Sequence, residues 1–248
     1  FLGNGSDEAI DLLIRAFCEP GTDHVIIMPP SYGMYAVQAN IQGAAIRQAP
    51  LFPDFSPDIS AIRRHTGKHS KLLFLCSPNN PTGNCLPEDF ILKVLGDFPG
   101  LVVLDEAYAD FSGKPSWVSR VEEFSNLVVL QTLSKAWGLA GLRVGMAYSN
   151  KYIINVLNKI KYPYNLNSAT INLALKALNN ETAMQKNVSA LLAGMEPFAQ
   201  AFFAGLFDPL KRGAKIVRLF VNDHGHQEEF SLSILAGFIN KAIKLLFL

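Results

Sequence analysis

Three short apolar runs in the 248-residue sequence end in side chains that can do chemistry. The run at 72–76 leads into Ser77-Pro78-Asn79-Asn80-Pro81-Thr82-Gly83, and the run at 101–104 into Asp105-Glu106-Ala107-Tyr108. The run at 127–130 leads into Thr132-Leu133-Ser134-Lys135, with Arg143 eight residues beyond the lysine. Taken singly, an Asn-Pro-Thr-Gly is a turn, a carboxylate after a buried strand is a cap or metal ligand, and a lysine is a solvated surface group. Taken together they supply an amide, a carboxylate with a phenol three residues on, two hydroxyls, a primary amine and a guanidinium. Residues of these types can fork an anion and run nucleophilic and proton-transfer chemistry on the amine.

Such groups must be delivered to one place by the elements that carry them. Unbroken apolar runs at 24–28, 72–76, 101–104, 127–130 and 144–148 are the mark of strands buried on both faces. Amphipathic stretches lie between them, such as Phe90, Ile91, Val94 and Leu95, so the expected class is α/β: a mostly parallel sheet wrapped by helices. In open sheets of that kind ligands collect beyond the carboxyl ends of the strands, which is where the reactive residues stand. Ile10, Leu13, Ile14 and Phe17 keep helical spacing behind Gly5-Ser6-Asp7-Glu8, with Ser6 or Asp7 expected to cap that helix and Pro20-Gly21 to stop it. Residues 151–180 read as helix broken near Tyr162-Pro163-Tyr164, and 183–207 as helix interrupted at Pro197. In the tail, Ile216–Val221 is the clear strand candidate, followed by a polar turn at 222–227 and an apolar helix from about 230.

The order of these groups resembles the fold-type I pyridoxal-phosphate aminotransferases, from Gly5 to Arg143. Within that superfamily the wording GSDEAIDLLIRAFCEPG, PPSYGMY, SPNNPTGN, VVLDEAYADF and TLSKAWGLAGLRVG is most similar to the histidinol-phosphate aminotransferases. The resemblance implies transamination of histidinol phosphate with 2-oxoglutarate, the cofactor pyridoxal 5'-phosphate, and a homodimer in the full-length form. It implies Lys135 as the lysine that links to the cofactor aldehyde and later carries the substrate proton, and Asp105 as the partner of the pyridine nitrogen. Tyr108 and Asn80 would donate to the ring's phenolate oxygen, and Tyr32 would stack across the ring. Arg143, the hydroxyls of Thr132 and Ser134, and the amides of Ser6 and Asp7 would take the phosphate, the Asp7 carboxylate turning away to cap its helix. Residues 1–185 would then be the large, cofactor-binding domain and 186–248 a partial or divergent small domain. Family members carry an arginine there that clamps the substrate carboxylate; Arg212 and Arg218 are the arginines available, and neither is assigned. The chain reads as a fragment of a longer gene product. Threonine-phosphate decarboxylases and aromatic aminotransferases share the cofactor residues, as would a non-catalytic remnant.

Composition excludes other classes. With 22 Lys and Arg against 21 Asp and Glu, the net charge of +1 provides no footprint for nucleic acid. No apolar run reaches the roughly 18 residues that span a bilayer, so a soluble chain is expected, and its cysteine usage makes a reducing cytosol, hence a cytoplasmic location, the expectation. Three cysteines without CxxC spacing argue against disulfides and zinc, and His224-Gly225-His226 finds no third metal ligand in sensible register. Gly138, Gly141 and Gly145 do not form the fingerprint a nucleotide-binding oxidoreductase would need.

Overall fold

Each apolar run becomes a strand, and the alternation of its side chains explains why the runs are unbroken. The computed structural model describes residues 1–194. In chain order the elements are β1 (Leu2–Asn4), α1 (Ser6–Phe17), β2 (His24–Ile27), α2 (Met34–Gln42), β3 (Ala45–Gln48), α3 (Ile59–His65) and β4 (Ser70–Cys76). They continue as α4 (Glu88–Asp97), β5 (Leu101–Asp105), β6 (Leu127–Thr132), β7 (Val144–Tyr148), α5 (Lys151–Ile160) and α6 (Ser168–Leu178). One seven-stranded sheet results, in the order β1-β7-β6-β5-β4-β2-β3. The pairs from β3 to β6 are parallel, whereas β7 runs antiparallel to both β6 and β1.

Period-two geometry sends alternate residues of the central strands into two cores. Val25, Leu72, Phe74, Val103 and Val128 pack with Ile10, Leu13 and Ile14 of α1 and with Leu157 of α5. Their neighbours Ile26, Leu73, Leu75, Val102, Leu104 and Val129 pack on the other face with Ile62 of α3 and Ile91 and Val94 of α4. Each such fully buried aliphatic side chain contributes roughly 1.5–3 kcal/mol relative to exposure. With both faces covered, neither set of positions can be polar.

The α/β expectation holds, with additions. Strand β3 is mostly exposed and carries Arg47 and Gln48, and β1 has three residues, so neither shows an apolar run. The connection from β5 to β6 holds two turns of 3-10 helix and no α-helix, in a stretch interrupted by Gly113 and Pro115. The break near Tyr162-Pro163-Tyr164 falls between α5 and α6, with Tyr164 at φ 59°. By contact clustering the chain divides into Phe1–Asn187 and Val188–Leu248; of the second unit, residues 188–194 are described and are helical. Pro197, Arg212, the strand expected at 216–221, the turn with its histidine pair, and the helix expected from 230 lie outside the described residues.

Candidate active site

The carboxyl ends of β2, β4, β5 and β6 open on one side of the sheet, and the loops beyond them converge with the start of α1. Ser6, Asp7, Tyr32, Asn80, Asp105, Tyr108, Thr132, Ser134, Lys135 and Arg143 all line one cleft, together with Gly5, Cys76 and Ala107. The ten residues matched to the cofactor site are therefore brought together, while Arg212 and Arg218 lie outside the described residues.

Asp105, the last residue of β5, is buried at the floor. Its Oδ2 accepts the Tyr35 hydroxyl at 2.7 Å and its Oδ1 accepts the Ala107 N–H at 3.0 Å. Burial raises its pKa above the ordinary carboxylate range, opposed by those two hydrogen bonds and by Lys135, while the charge of Asp7 raises it further. The next residue, Glu106, points to the opposite face. There it is held by Ser116, by the Trp117 N–H at 2.9 Å and by Gln131 Nε2 at 3.1 Å, so of the two adjacent acids only Asp105 serves the cleft.

Asn79 and Asn80 divide their labour similarly. Buried Asn79 builds the turn: its Nδ2 donates to Pro30 O (3.0 Å) and Thr82 Oγ1 (2.6 Å), and its Oδ1 accepts from Ser31 Oγ (3.1 Å). The Gly83 N–H donates to Asn79 O at 2.7 Å. Asn80 faces the cleft. Beyond β6, the Thr132 hydroxyl donates to Val144 O (3.1 Å) and is hydrogen-bonded to the Ser134 hydroxyl (2.9 Å), which ties that loop to β7. Lys135 is exposed, with its Nζ 5.1 Å from the centre of the Tyr108 ring.

Two glycines let the α1 end of the cleft assemble. Gly5 has φ +76°, a region that side chains disfavour, and a Cβ there would strike the Arg143 guanidinium. A Cβ at Gly145 would run into the backbone of Gly5 and Ser6. Bare backbone at both positions lets the N-terminus of α1, strand β7 and Arg143 meet. The amides at that helix start, the Thr132 and Ser134 hydroxyls and the Arg143 fork form a donor set suited to a phosphate dianion.

Two expectations about α1 are corrected. Neither Ser6 nor Asp7 caps it: the cap is Gly5, without a side-chain bond, because the helix already begins at Ser6 and both residues sit inside its first turn. Nor does the Asp7 carboxylate turn away. Its Oδ2 accepts from Arg143 Nη2 at 3.0 Å and its Oδ1 from the Tyr32 hydroxyl at 3.0 Å, because this cation and phenol face it across the cleft mouth. Tyr35, the last residue of PPSYGMY, was given no role by the sequence reading; it stands three residues after Tyr32, just inside α2.

The family model "Aminotransferase class I and II" matches residues 1–235. A histidinol-phosphate aminotransferase of Parabacteroides distasonis is 54% identical over 192 residues, covering 77% of this chain and 56% of that protein. One from Flavobacterium johnsoniae is 49% identical over 195 residues, covering 79% and 56%. The chain thus spans little more than half the length of these curated relatives. Among solved structures, the fold is shared with a Sinorhizobium meliloti histidinol-phosphate aminotransferase in complex with pyridoxal-5'-phosphate. That likeness has a TM-score of 0.74 at 22% identity and covers 80% of this chain and 55% of the other.

Proposed function

The chain belongs to the class I and II aminotransferases, and from that membership we propose that its cleft binds pyridoxal 5'-phosphate for the transamination of histidinol phosphate with 2-oxoglutarate, a step of histidine biosynthesis. The observation that carries this reading is the meeting of Lys135, buried Asp105 and the Arg143 end in one cleft. The names of the half-identical relatives support the substrate. Residues 1–185 are then the cofactor-binding domain and 186–248 belong to the smaller one. A homodimer and a cytoplasmic location complete the reading, the latter in keeping with three free cysteines and with the lack, among the described residues, of a helix long and apolar enough to cross a membrane.

The residues present fit the cofactor: a dianion at the α1 end, a cationic ring nitrogen at a buried carboxylate, an amine between. When bound, pyridoxal phosphate supplies an aldehyde that takes up amines and a protonated ring that draws electrons from the substrate. Asp105 holds the proton on the ring nitrogen, since an ionised carboxylate in low dielectric favours a cation beside it. Arg143, Thr132, Ser134 and the amides of Ser6 and Asp7 orient the phosphate. Tyr32 would cover the ring, and Tyr108 and Asn80, which line the same cleft, would donate to its phenolate oxygen. Lys135 Nζ would hold the aldehyde and, as a free amine, would be the group that takes and returns the proton at the substrate Cα.

Borohydride treatment of the chain loaded with cofactor, followed by peptide mapping, should place the pyridoxyl label on Lys135; a label on Lys151 or Lys159 would overturn the assignment. Formation of glutamate from histidinol phosphate and 2-oxoglutarate separates this activity from a decarboxylase on the same fold.

A further inference from the structure

Tyr35 is the largest polar side chain buried beneath the cleft, and nothing in the reading above gives it a task. It stands in the first turn of α2, fully buried, its ring stacked on Phe74 of β4 at 4.6 Å between centroids and 11° between planes. Its hydroxyl donates to Asp105 Oδ2 at 2.7 Å, the shorter of the two hydrogen bonds that fix that carboxylate. The Tyr32 ring meets it edge-on, at 5.6 Å and 83°. One rigid side chain thus touches both the carboxylate assigned to the ring nitrogen and the phenol assigned to the ring face.

We propose that Tyr35 is a positioning residue for the cofactor ring, aiming the Asp105 carboxylate at the pyridine nitrogen and buttressing Tyr32 beside it. The proposal rests on the assignment of Asp105 in the preceding section. Three physical points carry it. Stacking on Phe74 leaves the Tyr35 ring little freedom, so its hydroxyl sits at a fixed point. Burial raises the hydroxyl pKa well above its ordinary value, with the charge of Asp105 adding to the effect, so Tyr35 remains a donor. A buried carboxylate without that donor would lose ionised character and orientation together, since hydrogen bonds to a charged acceptor are the strong ones.

A merely structural tyrosine and a positioning one can be told apart with two ligands. The dissociation constants of pyridoxal phosphate and of its carbocyclic analogue, in which C–H replaces the ring nitrogen, are measured on the full 248-residue chain. Both ligands keep the aldehyde and the phosphate, so their ratio reports the ring-nitrogen contact alone. Tyr35→Phe should weaken pyridoxal phosphate about tenfold and leave the analogue nearly unchanged. Equal weakening of both ligands would show that Tyr35 acts through packing and would overturn the proposal. Asp105→Asn should collapse the ratio to near one. If it keeps the wild-type ratio, the assignment of Asp105 fails, and the proposal with it. Should Tyr35→Phe not fold, Tyr35→Met keeps apolar bulk without a donor: a ratio shifted toward one in that variant supports the proposal, and a wild-type ratio overturns it.

Discussion

Asp105 couples function to stability through its own titration. Its folded pKa lies above the unfolded value of about 3.9, so the native state binds this proton more tightly than the unfolded chain does. The contribution to stability is therefore complete below the unfolded value and is lost as pH rises through the raised folded value. Asp110, raised by desolvation, acts with the same sign, whereas Asp23, lowered chiefly by the Glu19 N–H, loses its contribution as pH falls. Urea titrations of the cofactor-free chain from pH 4 to pH 8 should show a downward component that Asp105→Asn flattens; an unchanged profile would contradict the burial argument. The same substitution should cut the single-turnover rate by orders of magnitude, because a neutral amide cannot hold the pyridinium proton. Tyr108→Phe should cost less, bounded by one hydrogen bond to a charged acceptor at about 1.5–3 kcal/mol. The site candidates were legible at this scale because each follows a strand in a short, chemically distinctive string. Tyr35 was not, since a partner 70 positions away leaves no trace in local spacing.

Among elements, the junction of α1 and β7 depends most on single atoms. Gly145→Ala should destabilise the chain by about 1–3 kcal/mol, as overpacking against backbone does, and should weaken binding of inorganic phosphate. Gly96→Ala offers the contrast: in α4, with open space where its Cβ would go, it should stabilise by about 0.5–1 kcal/mol. Both are read from urea midpoints at constant m-value. Asp7→Asn should tighten phosphate binding, because it removes the anion nearest to Arg143, and calorimetry at low salt would detect the change. Its effect on stability should stay below about 1 kcal/mol, both partners being partly exposed. Sequence legibility at this scale followed burial. Strands covered on both faces announced themselves, while β3, at the sheet edge with most of its side chains in solvent, needed no apolar run and showed none. The start of α1 was misread by a residue because its cap is set by contact with β7, which lies far away in sequence.

The strand order has consequences for the whole molecule. Strands β4, β5 and β6 lie inside the sheet and hold the loops that carry Asn80, Asp105, Thr132, Ser134 and Lys135. Hydrogen exchange should therefore be slowest at the amides of 72–75, 102–104 and 128–130 and fastest among strands at β3; comparable rates in β3 and β5 would contradict this ranking. The site thus hangs from the most protected part of the fold, which spares its residues local unfolding. The end of the cleft at α1 follows another logic. Among the described residues β1 pairs only with β7, and Asp7 reaches Arg143 across 136 positions of chain. On a ribosome adding about 5–20 residues each second, that interval is roughly 7–27 s, during which β1 has no partner from β7. Over that time the unpaired edge of β1 depends on whatever in the cell shelters nascent chains, and a slow codon placed before Arg143 would lengthen the wait.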